Sequence, residues 1–294
     1  MISSDFHMHS EFSSDSDTPM EAMIQKAIQL GLKQICFTDH MDFDYPKINR
    51  AQDSGLEEKF LDFLFDADTY VKKLNELKAS YAGQIEILTG IELGLQKQIQ
   101  PKVKKLMEHY DFDFAIGSSH LLYGDDPYFL SFWQKLRERY GNIDGKDLDE
   151  FIVKKAIRDY FEEILQNVTL FPWFQVYGHL DYIVRYAPGK DKYYHVEESM
   201  DVIDAILTQL ISQNRGIEIN TSGLKNGLKT ANPHTTILRR YKELGGEIIT
   251  IGSDAHKPDY IAYEFNRAKE FLLESKFKYY TTFKKKQPQF HLIQ

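Results

Sequence analysis

Short apolar runs alternate along the chain with longer stretches whose apolar residues recur at helical spacing. Residues 2–9 predict a first strand, 33–38 (KQICFT) a second, 84–91 (QIEILTGI) a third and 112–119 (FDFAIGSS) a fourth. Residues 175–178 open a fifth, 216–220 (GIEIN) form a sixth and 247–252 (EIITIG) a seventh. Between the runs, the longer period marks helices. The first begins at Thr18-Pro19-Met20-Glu21, read as an N-cap, a proline at the first helical position and a capping-box glutamate, and Gly31 ends it. Further helices are expected over 67–82, closed by Gly83, and over 101–110, 147–167, 196–213, 233–244 and about 261–275.

Strand-then-helix units in this order argue for a parallel sheet or barrel, because parallel strands need the crossover that a helix supplies. Two stretches break the rhythm. Residues 41–65 and 121–146 follow strands and are rich in aromatic and acidic residues. Both are expected to be long loops at strand C-terminal ends, where barrels carry their active sites. The tail Lys284-Lys285-Lys286 reads as a solvated end. A length of 294 residues suits one barrel with insertions over 1–294, although two domains fit the length as well.

Composition narrows the chemistry. Hydrophobic residues at 42% and charged residues at 27% describe an ordinary globular chain. A net charge of −8 argues against a partner such as nucleic acid, which demands a basic face. It leaves room for a small phosphorylated substrate, because a metal site supplies local positive charge. The one cysteine, Cys36, sits in an apolar run and is expected to be a buried core thiol. No stretch reaches the ~18 apolar residues of a membrane span, and no secretory leader is evident, so a cytoplasmic protein without a membrane partner is expected.

The histidines are unevenly placed. His7, His9, His40, His120, His179 and His256 fall at or just after predicted strand C-terminal ends, whereas His109, His195, His234 and His291 do not. Asp5-Phe6-His7-Met8-His9 is an H-x-H whose alternate residues would share one face of a strand. Thr38-Asp39-His40, Gly90-Ile91-Glu92, Ser118-Ser119-His120, Gly178-His179-Leu180-Asp181 and Ser253-Asp254-Ala255-His256 follow at later strands. Imidazole and carboxylate together suit zinc, iron or manganese, and so many candidates exceed one tetrahedral ion. A cluster of two or three divalent metals is expected. Asp39 and Asp181 flank these positions and are read either as carboxylates that orient an imidazole or as cap and turn residues. His234 is read as a capping or surface residue.

The motifs D-x-H-x-H, T-D-H, G-x-E, S-x-H, G-H-x-D and S-D-A-H, in this order from about residue 5 to 256, resemble the PHP (polymerase and histidinol phosphatase) family. Phe12-Ser13-Ser14-Asp15-Ser16, Arg185-Tyr186 and Glu218-Ile219-Asn220-Thr221-Ser222-Gly223 resemble its monofunctional histidinol-phosphatase branch. The resemblance implies a distorted seven-stranded (β/α)7 TIM-like barrel of the α/β class with a trinuclear site. It implies that His7, His9, Glu92 and Asp254 hold one ion. Glu92 would bridge to a second ion held by His120 and His179, and Asp15, His40 and His256 would hold a third. Arg185, and Lys225 where the family commonly has a second arginine, would bind phosphate. Their alternatives are a surface salt bridge and a solvated loop lysine. Aromatic residues of the two long loops would wall the pocket around an imidazole-bearing substrate. The implied activity is hydrolysis of L-histidinol phosphate by activated water, without a phospho-enzyme. The rivals are a nucleotide phosphoesterase and a non-catalytic scaffold. Oligomeric state and the general acid stay open.

Overall fold

The apolar runs fold as strands covered on both faces, as the unbroken burial of β7 (Gly216–Asn220) shows. In the computed structural model, which describes residues 2–46, 63–141 and 147–293, parallel strands form a nearly closed barrel. Its order is β1 (Ser4–Asp5), β2 (Gln34–Phe37), β4 (Glu86–Gly94), β5 (Phe114–Ser118), β6 (Val176–Tyr177), β7 and β8 (Ile249–Gly252), with the short β3 (His40–Met41) pairing β4. Chain segments 6–9 and 251–255 close the ring. The Phe6 N–H donates to the Ile251 carbonyl at 3.0 Å and the His9 N–H to that of Ala255 at 2.9 Å.

Register sets what the interior contains. Cys36 pairs with Leu88, Glu92 with Ile116, Ile116 with Val176 and Glu218 with Thr250. Low in the barrel, Phe6, Cys36, Leu88, Phe114, Ile116 and Val176 form an apolar floor. Two residues further along the strands, or four, come Glu92 and Ser118, and Glu218 and Asn220 occupy β7. The barrel is therefore dry at one end and polar at its C-terminal mouth. Around it pack α1 (Met20–Gln29), α2 (Ala67–Ser80), α3 (Gln100–His109), α4 (Leu130–Tyr140), α5 (Leu148–Leu170), α6 (Met200–Ser212), α7 (Thr235–Glu243) and α8 (Phe265–Glu274).

Several expectations change in detail. The first strand is shorter than 2–9: its ladder with β2 stops at Asp5, whose Oδ1 accepts from the His7 N–H at 3.3 Å, and beyond it Met8 makes a single parallel bridge to Ala255. Thr18 does not cap α1. Its hydroxyl donates to the His256 carbonyl at 2.8 Å, Pro19 takes the cap position, and Glu21 pairs with Lys73. The expected loop 121–146 contains α4, because Phe132, Trp133 and Leu136 share a buried helix face. Much of 41–65 lies outside the described residues.

The basic tail is not a free end. Residues Tyr279–Lys284 (β9) and Gln287–Leu292 (β10) form an antiparallel hairpin. Lys285 and Lys286 make its turn with φ of 50° and 63°, a conformation that lysine seldom adopts and that hid the hairpin from a sequence reading. Asp113 anchors the turn: its Oδ1 accepts from the Lys285 N–H at 3.2 Å and its carbonyl from that of Lys286 at 2.7 Å. The hairpin drives Phe283 into the apolar floor, with its ring stacked 5.1 Å from Phe114. Cys36 lies in the same cluster, as expected. Phe283→Ala is expected to cost about 3–5 kcal/mol of stability in urea denaturation, through lost burial and a cavity. The metal content of the folded protein should be unchanged, because the floor and the mouth are separate layers.

Candidate metal centre

At the mouth, Glu92 of β4 is fully buried and its two oxygens face different imidazoles. Oε1 lies 3.1 Å from His120 Nε2 and 2.9 Å from His179 Nε2. Oε2 lies 3.1 Å from His7 Nε2, 3.6 Å from His9 Nε2 and 3.0 Å from His40 Nδ1. Asp254 Oδ1 stands 3.3 Å from His9 Nε2 and 3.7 Å from His7 Nε2. Asp15 Oδ2 sits 3.0 Å from His256 Nε2 and 3.7 Å from His40 Nε2. The nine residues expected to hold metal, His7, His9, Asp15, His40, Glu92, His120, His179, Asp254 and His256, thus converge on one region. The route for His7 and His9 is irregular backbone rather than a strand face, yet their Nε2 atoms meet at 3.1 Å. Glycine makes the convergence possible. A Cβ on Gly252 would overlap Glu218 Oε1 and the His7 Cβ, and one on Gly178 would meet Ser118 Oγ at 2.5 Å. His179 and Asp254 have φ of 20° and 56°, strain of the kind retained where a side chain must be aimed.

The donor set fits divalent cations. Among the described residues, Glu92 Oε2, His40 Nδ1, His179 Nδ1, His256 Nε2 and Asp15 Oδ1 are buried with no hydrogen-bond partner. Buried polar atoms are rarely left so, and converging lone pairs are what a cation would satisfy. The His9 ring stacks on His40 and on His256, each with centroids 4.2 Å apart, a packing that does not tolerate protons on all three. Burial, and the charges of His40 and His256, hold His9 well below the usual imidazole range. Burial opposes ionisation of Glu92, but His7, His120 and His40 hold its carboxyl well below the carboxylate range. Burial likewise opposes a charge on His120, which Asp42 and Glu92 outweigh, pushing it up to about 10.

Surrounding residues fix these groups; most lie inside the quoted motifs, but apart from Asp39 the motifs assigned them no role, and Asp42 lies outside them. Glu218 Oε1 is 2.7 Å from His7 Nδ1, and Asp42 Oδ2 is 2.6 Å from His120 Nδ1. Carboxylates behind metal-facing imidazoles orient the ring and raise its basicity. Glu218 sits on the inward side of β7 two residues before Asn220, and a charged residue inside an otherwise apolar strand was the available signal. The Ser118 hydroxyl donates to Glu92 Oε1 at 2.6 Å. Asp39 works one step removed: it accepts from the Ser10 N–H at 2.6 Å and from the Ser13 hydroxyl at 2.7 Å, and Ser13 Oγ lies 3.2 Å from His9 Nδ1. Asp181 orients no imidazole. It accepts from Asn232 Nδ2 at 2.5 Å and from the His234 N–H at 2.9 Å, the turn-residue reading. His234 caps α7, its Nδ1 accepting from the Thr236 N–H at 3.2 Å.

The cluster floors a cavity of about 270 Å³. Arg185 and Lys225 both line it. Arg185 is 5% exposed and largely engaged: Nη1 reaches Asp254 Oδ2 at 3.0 Å, Nε Asn232 Oδ1 at 2.6 Å and Nη2 Asn220 Oδ1 at 2.9 Å. It is thus no surface salt bridge. Two N–H groups remain on its terminal nitrogens, one of them within hydrogen-bond reach of the Tyr186 hydroxyl. The Lys225 ammonium lies 4.4 Å from the Tyr260 ring centroid. Tyr45 and Phe63 of one long segment and Tyr128 and Phe129 of the other wall the cavity, as expected. Asp126 joins them, its carboxyl pushed up to about 6 by burial against hydrogen bonds from Tyr45 and Tyr128. No described helix is long and apolar enough to cross a membrane.

Comparison with known proteins bears on the family and the fold. Residues 5–222 match the PHP domain. A histidinol-phosphatase of Lactococcus lactis is 30% identical over 285 residues, covering 95% of this chain and 93% of its own. A probable histidinol-phosphatase of Clostridium acetobutylicum is 31% identical over 267 residues, covering 90% of both. The crystal structure of histidinol phosphate phosphatase from Lactococcus lactis, complexed with zinc, L-histidinol and phosphate, superposes with a TM-score of 0.79 at 27% identity and 98% coverage of each chain.

Two outcomes follow from the cluster. Glu218→Gln should weaken metal retention ~10–100-fold in chelator competition, because the ring of His7 loses its charged partner. Adding zinc to metal-stripped protein at pH 8 should release protons in a pH-stat. His120, with its value near 10, is protonated there without metal and must be neutral to coordinate. Zinc uptake without proton release would contradict this account.

Proposed function

This chain belongs to the PHP domain family, and we propose that it is a metal-dependent phosphomonoesterase that hydrolyses L-histidinol phosphate to L-histidinol and phosphate, as a step of histidine biosynthesis. The observation that carries the reading is the union, in one cavity, of the imidazole–carboxylate cluster with two cationic side chains and an aromatic wall. Coverage of nearly the whole length of a histidinol-phosphatase supports the substrate.

In this reading His7, His9, Glu92 and Asp254 hold one ion, and Glu92 is shared with a second held by His120 and His179. The division of the Glu92 oxygens between the His7 side and the His120–His179 side supports the sharing. Asp15, His40 and His256 hold a third, and zinc, manganese and iron all suit such donors. When bound, these ions supply Lewis-acid charge to the phosphoryl group and acidify water at neutral pH. The protein's own contribution is orientation. Glu218, Asp42 and Ser13 fix the rings of His7, His120 and His9. Arg185 presents its remaining N–H groups to phosphate oxygens, and Lys225 adds charge at the cavity rim. No serine or cysteine nucleophile is needed. A cytoplasmic setting belongs to this reading, in keeping with a single, buried thiol.

Turnover of histidinol phosphate well above that of a nucleotide panel is the direct test. In labelled water, one ¹⁸O should enter phosphate in a single turnover, and trapping a phosphorylated residue would overturn the scheme. Arg185→Ala should lower kcat/KM at least ~100-fold, about 2.7 kcal/mol of transition-state stabilisation. It should also loosen metal retention, because Asp254 loses its ion pair. Activity within about threefold of wild type would remove Arg185 from the site.

A further inference from the structure

Asp126 lines the same cavity without belonging to the cluster that floors it, although His120 lies near enough to act on its charge. Its side chain is buried. Oδ2 accepts from the Tyr45 hydroxyl at 2.6 Å, and Oδ1 accepts from the Tyr128 N–H at 2.8 Å and the Tyr182 hydroxyl at 3.3 Å. These donors are all neutral. Among the described residues, no lysine or arginine pairs with it. A buried carboxylate without a cation is costly, and an ionised one offers about four acceptor sites. Capacity therefore remains on the side that faces the cavity.

The surroundings favour a positive charge. Tyr45 packs on Phe63 with centroids 4.5 Å apart, and Tyr186 packs on Tyr128 at 5.1 Å and on Tyr182 at 5.2 Å. Aromatic faces attract cations. Tyr182 also links the two ends of the cavity. Its hydroxyl meets Asp126, while the Arg185 guanidinium lies 5.3 Å from its ring centroid. The cavity is thus negative at one end of this tyrosine and positive at the other. A phosphate monoester with a protonated nitrogen a few bonds from phosphorus matches both poles.

We propose that Asp126 is the specificity-determining carboxylate of this site, accepting a hydrogen bond from a protonated nitrogen of the substrate while the phosphate lies at the Arg185 end. The proposal rests on the phosphatase reading above and names what that site selects. In histidinol phosphate the nitrogen belongs to the amine or to the imidazole.

Asp126→Asn and wild type would be assayed on histidinol phosphate, on phosphoethanolamine (amine only), on imidazolylethyl phosphate (imidazole only) and on p-nitrophenyl phosphate, which carries no cationic nitrogen. The expected result is a ~10–100-fold loss of kcat/KM on histidinol phosphate, mostly in KM, with p-nitrophenyl phosphate within about twofold of wild type. The ester that shares the loss identifies the nitrogen. Equal losses on all esters, or none on histidinol phosphate, would overturn the proposal. Tyr45→Phe removes one supporting hydroxyl. It should show a smaller loss with the same selectivity, and it decides the matter if Asp126→Asn does not fold. A wild type that hydrolyses p-nitrophenyl phosphate but not histidinol phosphate would refute the substrate reading instead. Asp126 would then be judged on the two single-nitrogen esters alone.

Discussion

Glu92 is a carboxylate with no access to solvent at the centre of a protein barrel, and five imidazoles stand within 3.6 Å of its oxygens. An ion in such a place costs several kcal/mol unless countercharge is built around it. Protons on the histidines can supply that charge only in part, because stacked rings such as His9 and His40 repel one another when both are charged. Divalent cations resolve the conflict, since they compensate Glu92 and Asp254 while leaving every imidazole neutral. The site is best understood as an anion cage whose electrostatics close only with metal present.

The barrel is arranged to make that cage affordable. Its lower interior is apolar, and Phe283 of the C-terminal hairpin packs into it, so the cluster rests on a dry layer. Its upper interior is thinned by Gly178 and Gly252, which let Glu218, Ser118 and His7 crowd inward. The polar residues that remain there are satisfied by one another: Ser118 by Glu92, Asn220 by Glu218 and Asp254. A closely supported polar mouth above a dry floor strengthens each charge in it and holds ligands in place before substrate arrives.

Much of this was legible in the chain. Strand-then-helix alternation showed the barrel because parallel strands impose it, and β7 fell on 216–220 as expected. The convergence of the six clustered histidines was legible because each follows a strand end, and strand ends of a barrel converge; Asp15, which lies in a loop, came from the family resemblance alone. What supports them was hidden for a physical reason. Glu218 was quoted as a family cue, but its role was not legible: it and Asp42 act through space on His7 and His120, at sequence offsets that no spacing rule links. Residues 6–9 were read as regular strand because their residues alternate, whereas the Asp5 side chain takes the His7 N–H and the segment keeps only an isolated bridge, Met8 to Ala255. Helix α4 was hidden inside an aromatic-rich loop, and the hairpin behind its lysine turn.

Arg185 shows why position alone could not give the role of a residue. Six residues beyond His179, it reads as a free cation at the catalytic end. In the folded chain it is the hub of a relay: Asp181 fixes Asn232, Asn232 and Asn220 accept from the guanidinium, and the guanidinium pairs with Asp254. Asp254 holds a left-handed backbone conformation that aspartate tolerates only when its surroundings insist, and the pairing with Arg185 is one of those constraints. In the proposed reading, a group that steadies a metal-holding carboxylate and also offers N–H donors to phosphate would couple the two halves of the site. Phosphate bound there would draw on the same guanidinium that neutralises Asp254. The placing of the anion and the tuning of the metal cluster are therefore a single electrostatic problem.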